Sequence, residues 1–169
     1  TNKYAVEYKA NHPEWDGTDP VFISDWEWMF GIFEKAFEDL GVTDGYCMSI
    51  YYIGAMATGD LYSGFGGGGP LWSKNSDGEV TFNLTNENTK AYLECMRSWY
   101  EKGWLDKRFN ERSSDMFFKI NQEGFYQGKV PMMCIGIGAS VSAIDDDNYP
   151  LTKGAMILGA RMPINDLYG

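Results

Sequence analysis

EGFYQGKVPMMCIGIG, Glu123 to Gly138, is the stretch whose reading decides the fold. Phe125 and Tyr126 sit near the end of an amphipathic helical segment that stops at Gly128, because glycine takes the left-handed conformation that closes a helix at no steric cost. Lys129 and Val130 then lead into Pro131, which is allowed at the first position of a strand, and Met132 to Ile135 reads as a strand covered on both faces. Gly136 and Gly138 follow. They permit close backbone approach beyond the strand's carboxyl end, which is where open α/β sheets bind ligands.

Working outward, helical and strand patterns alternate. Ser24 is the expected cap of a helix, with Glu27 three residues later completing a capping box. Trp26, Met29, Phe30, Phe33, Phe37 and Leu40 recur at helical spacing up to Gly41. Tyr46 to Tyr52 is a strand candidate, Met56 to Tyr62 a short helix, and GFGGGGP a glycine-rich loop. Trp72 to Leu84 reads as a hairpin around Asn75, Ser76, Asp77 and Gly78. Thr85 or Asn86 caps the next helix, with Ala91, Tyr92, Cys95, Trp99 and Tyr100 as its apolar stripe, ending at Gly103. Ser114 caps a further helix through Phe117, Phe118 and Ile120. Ala139 to Ile144 forms a short helix, Asp145 to Pro150 a loop and Ala155 to Ala160 another strand. Residues 1–18 hold an alternating stretch, Tyr4 to Tyr8, and the turn-rich NHPEWDGTDP, to which no role is assigned. Strands alternating with helices over residues 19–169 imply one α/β unit with a mixed sheet flanked by helices.

The 169 residues suffice for one compact domain, and 44% hydrophobic with 16% aromatic residues supplies a core. Against 14 basic residues stand 24 acidic ones, a net charge of −10 that argues against nucleic acid or an anionic membrane surface as partner. The three cysteines, Cys47, Cys95 and Cys134, lack CxxC spacing and lie in apolar surroundings, so they read as buried small hydrophobes. The sequence contains no signal peptide, lipobox cysteine or apolar run of about 20 residues.

Few residues carry a catalytic pattern. The one histidine, His12, precedes Pro13 in a terminal turn with no positioned partner for acid/base work. Asp145, Asp146, Asp147 and Asn148 lack the glycine and distal glutamate of a calcium loop and read as a solvated turn. Gly66 to Gly69 has no following Lys-Ser or Lys-Thr, so it is a loop and not a phosphate cradle. No metal and no cofactor are expected. Aromatic rings remain: Tyr51, Tyr52, Phe65 and Trp72 flank the loop after the first strong strand, where they serve either as ligand contacts or as core.

The ordered set of elements resembles the extracellular solute-binding proteins of ABC importers, the maltose-binding-protein-like family. Glu123 to Gly138 is similar to the family's F-x-x-G-K-x-A-M element, and Asn83 to Asp106 to its long helix with a glycine, hydrophobic, Asp exit. Asp19 to Gly41 is similar to its P-x-T-W-D-E helix, and Gly154 to Asp166 to the strand before the return crossover. The resemblance covers roughly residues 19–166 and implies the second lobe only. It implies a non-catalytic monomer that binds a sugar or oligosaccharide and docks on a membrane permease. It also implies an extracellular or periplasmic location, anchored as a lipoprotein by a targeting segment upstream. On this resemblance the ligand contacts are Tyr51, Tyr52, Phe65, Trp72, Gly136, Gly138 and Ser140. Where the maltose-binding protein has Pro-Trp-x-Trp after the strand, this chain has Gly136-Ile137-Gly138-Ala139-Ser140, which leaves the identity of the solute open. The reading from another class is a carbohydrate-active hydrolase or its accessory domain, which shares the aromatic load and acidic charge. A surface adhesion module is the third.

Overall fold

The computed structural model describes residues 2–14, 20–49, 61–66, 71–74, 77–107, 124–133, 147–148, 153–155 and 162–168. Within them, three helices, α1 (Asn2–Asn11), α2 (Ile23–Leu40) and α3 (Glu87–Lys102), combine with four short strands, β1 (Met48–Ser49), β2 (Trp72–Lys74), β3 (Val80–Phe82) and β4 (Met132–Met133). β1 and β4 pair in parallel, Met48 with Met132 and Ser49 with Met133, and β2 and β3 form an antiparallel hairpin. The architecture is α/β in this broad sense.

α2 begins two residues earlier than the Ser24 cap predicts. Phe22 is its extended N-cap residue, and the Asp25 carboxylate reaches back to accept from the backbone N–H groups of Val21 and Phe22, each at 2.9 Å. Ser24 is therefore inside the first turn. Its N–H and hydroxyl both donate to the Asp166 carboxylate, which ties the end of the chain to the start of α2. Glu27, the other half of the expected capping box, turns instead to α3: it accepts from Trp99 Nε1 at 2.8 Å and from Lys102 Nζ at 3.5 Å.

α3 follows the expectation closely. Asn86 caps it by accepting from Thr89 N–H at 2.8 Å, and Gly103 closes it at φ 80°. Gly41 does the same for α2 at φ 68°, and Gly128 takes the left-handed conformation at φ 70° in a turn where Lys129 N–H donates to Gly124 C=O at 2.9 Å. The stripe that α3 buries is Thr89, Tyr92, Met96 and Trp99, flanked by Ala91 and Cys95. Tyr100 faces outward, and so does Leu40 on α2, because each lies past the edge of the stripe.

These faces meet in a core of aromatic and large aliphatic side chains: Trp26, Phe30, Met48, Leu61, Tyr92, Met96, Trp99 and Leu105 among others. Phe30 packs edge-on to Trp99, with ring centroids 4.9 Å apart at 86°, and Trp104 lies 5.3 Å from Phe30. Edge-to-face pairs of this kind contribute about 0.5–1.5 kcal/mol each beyond the area they bury. Lys102 Nζ lies 4.1 Å from the Trp104 ring centre.

The alternating stretch at Tyr4 to Tyr8 is helical: it belongs to α1, which packs on α2. The contact is local and specific. Gly31 of α2 leaves room for the Tyr8 ring, whose Cε2 comes within 2.7 Å of where a Cβ would stand. Lys35–Glu7 and Lys3–Asp39 bridge the two helices at the surface, where each such pair contributes about 0–1 kcal/mol.

Candidate functional site at the carboxyl edge of the parallel strands

Met48 is the centre of the parallel array. On one side it pairs with Met132; on the other it bridges Leu105, with Met48 N–H donating to Trp104 C=O at 2.9 Å. Gly103 makes this possible: it stops α3 and turns the chain so that Trp104 and Leu105 run alongside β1. The pairing is extended upstream by Tyr46 N–H donating to Lys129 C=O at 3.0 Å, directly after the Gly128 turn.

Because β1 and β4 are parallel and in register, the chain leaves both at the same end. The segments that begin after Ser49 and after Met133 therefore start from neighbouring positions on one sheet edge. Among the expected contacts, Tyr51, Tyr52, Gly136, Gly138 and Ser140 belong to those two segments and lie outside the described residues. So do Cys134, the further strand residues to Ile135, the helix expected from Ser114 and most of the strand expected from Ala155.

Two buried polar residues stand at this edge, Ser49 and Asp106. Ser49 Oγ has no hydrogen-bond partner among the described residues. Asp106 follows Leu105 and stands in the glycine, hydrophobic, Asp exit of the long helix. The sequence reading gave neither a role. The signal available was a serine interrupting the apolar run Cys47 to Ile50.

The two described ring candidates take opposite places. Phe65, 3% exposed, ends the short 3-10 turn Ser63–Phe65 and packs at 5.7 Å against Tyr92 of α3. Of its two readings it takes the core. Trp72 is 62% exposed on β2 and lies 4.8 Å from the ring of its cross-strand partner Phe82.

The hairpin that carries Trp72 is anchored by a polar network. Ser73 Oγ donates to Asn83 Oδ1 at 2.7 Å, Thr89 Oγ1 donates to Asn83 C=O, and the Tyr62 hydroxyl shares a 2.6 Å hydrogen bond with Thr89 Oγ1. Asn83 is buried there, so the base of the hairpin is fixed to the start of α3 and to the segment holding Tyr62. Trp72 and Phe82 share one face of the ribbon, while Ser73 and Thr81 point to the other, as the period of two requires.

His12, for which the sequence leads one to expect no positioned partner, has one in Glu14. His12 stacks on Tyr8 at 4.1 Å and its Nδ1 lies 3.2 Å from Glu14 Oε1. A backbone hydrogen bond, and then His12, hold Glu14 below the usual carboxylate range. Burial pushes the Cys47 thiol far up, and its Sγ donates to Phe30 C=O at 3.6 Å. Burial, reinforced by Glu27, pushes Cys95 up to about 12. Both shifts hold the thiols in the protonated form at neutral pH, and Cys95 is partly exposed where Cys47 is buried. Asp147 pairs with Lys153, and among the described residues no group of three His, Cys, Asp or Glu side chains is placed to hold a metal ion. Among them, too, no helix is long and apolar enough to cross a membrane.

An open groove of about 300 Å³ runs along the outer side of α3, between Leu84, Lys90, Leu93 and Arg97. It is lined by α3 and the turn before it, not by the strand ends. Comparison with protein-family models, with curated proteins and with solved structures finds no match for the chain.

Proposed function

We propose that the chain is the second lobe of an extracellular solute-binding protein, one that delivers a carbohydrate to an ABC importer and has no catalytic role of its own. The observation that carries this reading is the parallel, in-register pairing of Met48–Ser49 with Met132–Met133. Ser49 and Met133 end side by side at one sheet edge, the position at which α/β sheets take ligands, and the segments with Tyr51 and Tyr52 and with Gly136, Gly138 and Ser140 follow them in sequence. The ordered resemblance over residues 19–166 supports the class.

In this reading each group has a chemical task. Sugar rings carry C–H faces that pack on aromatic side chains and hydroxyls that need polar partners. Trp72, with most of its ring exposed, supplies stacking surface together with Tyr51 and Tyr52. The Ser140 hydroxyl and the backbone N–H groups of its loop are the donors this reading assigns to the solute hydroxyls. A solute held between two hinged lobes is bound tightly only when both contribute, and the closed pair docks on the permease. The protein works outside the membrane, as a monomer tethered through a lipid anchor.

Calorimetric titration of a panel of mono- and oligosaccharides into this chain alone, and into the protein carrying both lobes, tests the reading. Half the contacts account for several kcal/mol, and every 1.4 kcal/mol is about tenfold in affinity, so the single lobe binds weakly and the joined lobes tightly. Submicromolar binding by the single lobe overturns the two-lobe arrangement. No binding of any sugar by the joined lobes overturns the solute class.

A further inference from the structure

We draw no further inference here: the strongest candidate, the open groove with Leu84 and Leu93 along the outer side of α3, carries nothing because nothing in the structure shows what covers it.

Discussion

Trp99 and Trp72 are the same side chain in opposite surroundings. Trp99 lies between α2 and α3 with no exposed surface, edge-on to Phe30 and with its indole N–H donated to Glu27, whereas Trp72 projects from a two-stranded ribbon with most of its ring in solvent. The difference comes from the layers around them. A helix stripe always has another layer to bury against, and here α2 and α3 bury theirs against each other. On the β2–β3 ribbon, the face with Trp72 and Phe82 stays open, while its base is held by Asn83, Ser73 and Thr89. An aromatic at helical spacing is thus a statement about folding, and an aromatic alternating on a ribbon face leaves room for recognition.

The largest expected effect belongs to the buried member of the pair. Trp99→Ala removes the ring at the centre of the core and leaves Glu27 without its indole donor, so it should cost about 3–5 kcal/mol of stability in urea denaturation. A loss under about 1 kcal/mol would mean that the α2–α3 interface is not the core.

Next comes the closest backbone approach. At Gly64 a Cβ would fall against the Pro163 carbonyl oxygen, and Gly64 C=O accepts from Asn165 N–H at 2.8 Å. Backbone cannot move aside as a side chain can. Gly64→Ala should therefore cost roughly 1–3 kcal/mol and loosen the segment 162–168, seen as faster amide exchange of Asn165 than of Trp99.

The helix start separates two neighbouring residues. Asp25→Ala deletes the acceptor for two backbone N–H groups and should cost about 1–2 kcal/mol, whereas Ser24→Ala loses one exposed hydrogen bond to Asp166 and should cost less than Asp25→Ala in the same thermal melts. The opposite ranking would return the cap to Ser24.

Much of the fold was legible because its signals are local. Asn86 and Gly103 bracket α3, Gly41 and Gly128 close their segments, and the turn residues from Asn75 to Gly78 place the hairpin. What was not legible depends on distant partners. Ser24 looks like a cap until Asp166, 142 residues away, occupies it. Phe65 looks like a strand-end ring until Tyr92 covers it. Residues 4 to 8 alternate like a strand, yet they fold as helix α1, and Tyr8 seats against Gly31 of α2. The candidate site divides in the same way. Its edge follows from apolar runs ending in glycine, but Ser49 and Asp106 become visible as buried polar neighbours of that edge only once Leu105 is placed beside Met48.

The smallest expected change in stability accompanies the most direct test of the central claim. Because Trp72 buries little surface, Trp72→Ala should alter stability by no more than about 0.5 kcal/mol. On the proposed reading, sugar titration of the protein carrying both lobes, wild type against Trp72→Ala, should show binding without turnover and a loss of affinity of about tenfold or more in the variant, at an unchanged melting temperature. Hydrolysis of the glycan by the wild-type protein, or a variant that binds as tightly as the wild type, contradicts the account.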